Sequence, residues 1–90
     1  MGYKKFNIND RVKIKLTDLG CKILADDFNK WSPIEKRTPD YYKGQCDENG
    51  FYEMQLWCIM ERFGEFIGMA IPSPFENVIL LKETDLESVN

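Results

Sequence analysis

The feature that most constrains this chain is a change of hydrophobic period at Thr17. Before it, Val12, Ile14 and Leu16 alternate with Lys13 and Lys15, the period of a strand with one buried face. After it, Ile23, Leu24, Phe28 and Trp31 share one side of a helix, flanked by Cys21 and Ala25, with Lys22, Asp26 and Asn29 opposite. Thr17 is a suitable cap and Asp18 complements the helix dipole, so the spacing predicts a helix over 18–31. Gly20 falls toward the buried arc, where it lowers helix propensity but permits a close backbone approach. A half-buried strand running straight into an amphipathic helix makes the chain α+β, with helix packed on sheet.

The remaining elements are read around that pair. Phe6 and Ile8 form an extended arm ended by a turn at Asn9-Asp10. Residues 32–50 carry Pro33, Pro39, Gly44, Gly50 and the pair Tyr41-Tyr42, without periodicity. So long a loop in a small domain is either functional or conceals a short element, and its tyrosines argue against disorder. After the turn signal 47–50, residues 51–57 fit a strand or a helix. The longer pattern of Leu56, Ile59, Met60 and Phe63, with Trp57 at its edge and Gly64 as a left-handed cap, favours a helix over 52–63. On that helix Met54, Cys58 and Glu61 form a separate stripe away from the core. A strand is expected over 66–71, a turn at Pro72-Ser73-Pro74, and a central strand over 77–81, which is apolar on both faces. Thr84 and Glu87 form a capping box, predicting a helical turn before a frayed acidic tail at 84–90. The expected architecture is one domain over 1–90, two helices on a three- to four-stranded mainly antiparallel sheet. Its expected core is Val12, Ile14, Leu16, Ile23, Leu24, Phe28, Leu56, Met60, Phe63, Val78 and Leu80.

The composition then narrows the chemistry. The 90 residues include no histidine, which removes every Ser-His, Cys-His and His-metal site within one subunit. The carboxylate pairs Asp26-Asp27 and Asp47-Glu48 diverge on a helix or lie in a turn, and a small core leaves little room for the cleft that acid–base work needs. No glycine-rich phosphate loop is present. The expectation is no enzyme, no catalytic residue and no cofactor. Cys21, Cys46 and Cys58 form no CxxC pair and are odd in number, so free thiols, no metal and a reducing cytoplasmic setting are expected. No apolar run is long enough to span a membrane and no signal peptide is read at the start; Phe6 stands where a myristoylation signal needs Ser or Thr. Residues 1–45 carry ten basic and six acidic side chains, a net +4, while 46–90 carry two and nine, a net −7.

Two stretches carry a resemblance. VKIKLTDLG at 12–20, with Gln55, Leu56, Trp57, Met60, Phe63 and Gly64, resembles small uncharacterised phage and prophage accessory proteins of Bacteroidota. The resemblance implies a viral product acting in the bacterial cytosol, and by analogy an inhibitor of host defence such as an anti-CRISPR. The two ends, FNINDRVKIKL and NVILLKETDLESV, are similar to the first and last strands of SH3-like small barrels, which implies as alternative fold such a barrel with a helical insertion.

These readings make the chain a non-enzymatic protein-binding protein. Its expected contact surface is Tyr41 and Tyr42 as anchors with Asp47, Glu48, Glu53 and Glu61 as an acidic surround, facing a partner such as a basic nucleic-acid-binding defence protein. The alternatives are a single-stranded nucleic-acid binder using Lys4, Lys5, Arg11, Lys13 and Lys15 with Tyr3 and Phe6, or a structural phage component. A homodimer is left open.

Overall fold

The computed structural model describes residues 2–68 and 72–89, the side chain of Asn77 excepted. In chain order the elements are β1 (Lys4–Lys5), β2 (Arg11–Leu16), α1 (Asp18–Trp31), α2 (Pro39–Gly44), β3 (Phe51–Gln55), α3 (Leu56–Phe63), β4 (Phe75–Leu80) and β5 (Glu87–Ser88). The alternating run becomes β2, the middle of an antiparallel sheet ordered β3-β2-β4. Its register sets Val12 opposite Met54 and Ile14 opposite both Tyr52 and Ile79. One face of the sheet therefore carries Val12, Ile14, Tyr52 and Met54 toward the helices. The other carries Lys13, Lys15, Phe51 and Glu53 outward. The sheet is open at both edges among the described residues, so it does not close into the barrel named as the alternative.

The helix expected over 18–31 is α1, and Thr17 caps it by accepting a hydrogen bond from the Gly20 N–H. Its start is docked on the segment before β4: the Thr17 hydroxyl donates to the Ser73 carbonyl at 2.7 Å, and the Thr17 N–H to the Pro74 carbonyl at 3.1 Å. A side chain at Gly20 would run into that same Pro74 carbonyl, which is the close approach the glycine permits. The core joins all layers: Val12 and Ile14 of β2, Cys21, Ile23, Leu24 and Ala25 of α1, Tyr42 of α2, Met54 of β3, Ile59 and Phe63 of α3, and Phe75 of β4.

Several sequence expectations need correction. The helix over 52–63 is a strand followed by a helix: β3 occupies Phe51–Gln55 and α3 begins at Leu56. Pairing with β2 decides the ambiguity, because it places Tyr52 and Met54 on the helix-facing side, and Met54 is buried rather than part of an outer stripe. Along α3, Phe63 is fully buried while Met60 is 50% exposed, so the inward face is narrower than the periodicity suggested. Gly64 ends α3 with φ −53°, a right-handed conformation, and continues into a 3-10 turn over Gly64–Phe66 instead of a left-handed cap.

The strand expected over 66–71 is not formed at Phe66, which lies in that turn, or at Ile67 and Gly68; residues 69–71 lie outside the described residues. The run over 77–81 is an edge, not the centre. β4 pairs with β2 alone among the described strands, leaving Val78 and Leu80, both expected in the core, exposed. The tail is not frayed over 84–88, where a 3-10 turn over Glu83–Asp85 leads into β5, which pairs antiparallel with β1; Asn90 lies outside the described residues. Leu16 and Leu56, also expected in the core, are half-buried at its margin, and Phe28 is half-buried as well.

Candidate functional site

The aperiodic segment 32–50 does conceal an element. Thr38 caps α2 by accepting from the Tyr41 N–H at 3.3 Å, and Pro39 supplies the first helical residue, where its missing N–H costs nothing. Between α1 and α2 the chain is held chiefly by the Asn29 side chain. Asn29 donates from Nδ2 to the Arg37 carbonyl at 2.8 Å and accepts the Arg37 N–H on Oδ1 at 2.7 Å, the two bonds a neighbouring strand would provide. Lys36 donates to the Asn29 and Ser32 carbonyls at 3.0 and 2.9 Å, closing the C-terminal end of α1 where a cation is favoured.

This clamp fixes the Arg37 guanidinium against three aromatic rings. It lies 3.7 Å from the Phe28 centroid and 4.5 Å from that of Tyr41, and Nη1 donates to the Tyr42 hydroxyl at 3.0 Å. Such contacts favour the cation, and the hydrogen bond to Tyr42 holds Arg37 above its ordinary pKa. Tyr42 in turn packs edge-on against Tyr41 at 5.1 Å and against Tyr52 at 6.2 Å between centroids. Burial pushes the Tyr52 hydroxyl up from its ordinary value.

The result is an open cleft of about 600 Å³ between the end of α1, the returning segment and β3. Leu24, Tyr42, Tyr52 and Met54 line its apolar part, while Trp31 and Pro33 form the rim at the end of α1. Arg62 closes the side toward α3, its Nε 3.3 Å from the Asp27 carboxylate. Trp31 is 78% exposed. Ile34, three residues on, is also largely exposed.

The residues singled out from the sequence are not gathered in one place. Tyr42 is 6% exposed and belongs to the core, whereas Tyr41 is 41% exposed beside the cleft. Asp47 is a turn residue: its carboxylate accepts the Asn49 and Phe51 N–H groups, each at 2.9 Å, and the Lys13 ammonium at 3.3 Å. Those bonds, the Phe51 one foremost, hold its carboxyl below the usual carboxylate range. Glu48 is exposed in the same turn, and Glu53 stands on the outer sheet face opposite Lys13. Glu61 lies elsewhere, in a groove of about 390 Å³ between α1 and α3 with Lys22, Asp26 and Glu65.

Sequence reasoning missed Arg37, Asn29 and Tyr52, assigned Phe28 to the core, and placed Trp31 on the apolar side of its helix without reading it as a contact residue. The Thr38-Pro39 pair was a legible helix start; the stacking of Arg37 carries no sequence signature. The thiols differ by burial: Cys21 is buried, Cys46 and Cys58 half-buried, and all three are free. Desolvation pushes the Cys21 and Cys46 thiols up. Among the described residues no group of three or more Cys, Asp or Glu side chains is placed to hold a metal, and no helix is long and apolar enough to cross a membrane. Comparison with protein-family models, curated proteins and solved structures finds no match to the chain.

Proposed function

We propose that this chain is a non-enzymatic protein-binding module, and that its contact surface is the cleft at the end of α1 rather than the acidic ring read from the sequence. The observation that carries the reading is the exposed Trp31 at the mouth of a preformed aromatic cleft. An indole held in water beside apolar surface is the composition of an interface anchor, since tryptophan, tyrosine and arginine dominate binding hot spots. The cleft suits an extended segment of a partner protein bearing an apolar or proline anchor next to an acidic residue. The anchor would enter between Trp31 and Tyr52, and the carboxylate would meet Arg37 and Arg62. The resemblance to phage accessory proteins makes a host defence protein the first partner class to test.

The nucleic-acid alternative draws less support from the charges. Of the five cations it would use, Lys13 is paired with Asp47 at 3.3 Å, and Lys5 and Lys15 lie 3.9 and 4.0 Å from Glu87 and Glu76, which partly offsets the positive charge of that surface.

Selection of a displayed random peptide library on the folded protein tests the proposal. Peptides combining an acidic residue with proline or an aromatic should be enriched, and Trp31→Ala should weaken them by about 30-fold, a hot-spot loss near 2 kcal/mol. The unfolding midpoint of that variant should stay close to the parent's, because Trp31 is mostly in water. Enrichment that ignores Trp31→Ala, or salt-sensitive binding of single-stranded oligonucleotides in its place, would overturn the reading.

A further inference from the structure

Strand β4 raises a separate question. Sheet edges are ordinarily protected by a central charge, a proline or a covering element. The opposite edge, β3, has Glu53 at its middle residue. β4 has no charged residue after Glu76, and Val78, Ile79, Leu80 and the following Leu81 are all exposed. The irregularity in its pairing with β2 falls between Phe75 and Ile79, the partners of Leu16 and Ile14, and the Ile79–Leu80 end is regular. No described strand occupies its outer side.

We infer that two copies of this chain associate through β4, paired antiparallel about a two-fold axis at Ile79. The charges at the ends of the edge select that register. With Ile79 opposite itself, Val78 faces Leu80 of the second copy and Glu76 faces Lys82, twice over by symmetry. A slip of one residue sets Glu76 against Leu81 or against Glu83, and loses the pair. Both groups are available. Glu76 meets Lys15 only at the 4.0 Å limit and in solvent, and Lys82 makes no ion pair among the described residues. Because the paired positions keep the same parity, both copies carry their helices on one side. The product is a six-stranded sheet ordered β3-β2-β4-β4-β2-β3 with the exposed apolar side chains of the two edges in contact. The edges are short and bury less than the roughly 1,200 Å² of a standard interface, so dissociation on the order of micromolar is expected. This association does not involve the cleft and stands independently of its ligand.

Sedimentation equilibrium from micromolar to millimolar protein reads the result. The parent chain should show a reversible monomer–dimer equilibrium. Glu76→Lys and Lys82→Glu should each weaken it by about tenfold, since each places like charges opposite one another at both ends. An equimolar mixture of the two variants should recover the parent's affinity as a heterodimer. One copy then carries lysine at both positions and the other glutamate at both, so each end again pairs opposite charges. That recovery cannot arise from misfolding of either variant. A parent chain that stays monomeric throughout, or a dimer indifferent to both reversals, would overturn the inference.

Discussion

Replacing Gly20 with alanine sets two effects of opposite sign against each other in the first turn of α1. Helix propensity alone favours alanine over glycine by about 1 kcal/mol, so an unobstructed site would gain stability. The new Cβ would instead fall on the Pro74 carbonyl oxygen, with Leu16 Cδ2 close by. A flexible side chain could step aside, but this neighbour is backbone. Moving it also strains the bond it accepts from the Thr17 N–H at 3.1 Å, which docks the helix on the sheet. Overpacking costs about 1–3 kcal/mol and a strained hydrogen bond about 1 more, so the clash outweighs the propensity gain. The expected net loss is about 1–3 kcal/mol, or roughly 5–20 °C in Tm for a domain of this size. Gly44→Ala is the internal control. Gly44 ends α2 with nothing near its absent Cβ and without a positive φ, so that substitution should be neutral or stabilising by up to about 1 kcal/mol. Urea unfolding followed by far-ultraviolet circular dichroism measures both. If Gly20→Ala stabilises the protein, the docking of α1 on the Ser73–Pro74 segment is wrong.

The face of α3 is tested by a second pair. Phe63→Ala, at a fully buried ring 5.9 Å from that of Phe75, should cost about 3–5 kcal/mol, whereas Met60→Ala should cost well under 1; equal losses in urea unfolding would return Met60 to the core. Asp47 makes the stability pH-dependent: its carboxyl is lowered in the fold, so its contribution is fully present above the ordinary carboxylate pKa and is lost as pH falls through the lowered value. Asp47→Asn should therefore reduce the loss of Tm between neutral and strongly acid pH, and an unchanged acid limb would show that the turn does not depend on its charge.

What is legible in the sequence is whatever has a period and a cap. β2 and α1 can be read to the residue at their junction because Thr17 both ends an alternation and begins a helix. Residues 51–55 mislead because Tyr52, Met54 and Leu56 satisfy two periods. The choice between them is made by β2, a partner distant in sequence. The run 77–81 reads as a central strand because burial on both faces and exposure at an unprotected edge produce the same apolar string. The site is the least legible part. Tyr41 and Tyr42 stand out in the sequence, but which one points inward depends on the phase of a six-residue helix, and Arg37 becomes significant only once Asn29 has folded the chain back over Phe28.

The opposed charges of the two halves, +4 and −7, invite the picture of a bipolar molecule, and the topology removes it. The antiparallel order puts the basic β2 between two strands from the acidic half, and β1 beside β5. Of the five ion pairs among the described residues, four join one half to the other: Lys5–Glu87, Lys13–Asp47, Lys15–Glu76 and Asp27–Arg62. Solvent-exposed pairs of this kind contribute about 0–1 kcal/mol each, so they are not what holds the fold together. Register is set by burial instead: shifting β3 by one residue along β2 would carry Met54 out of the core. With its charges thus interleaved, the surface lacks the broad field of one sign that steers a highly charged partner over long distances. The binding proposed above would then rest on short-range contacts, and among the apolar groups the fold leaves in water are Trp31 at the cleft and the bare edge of β4.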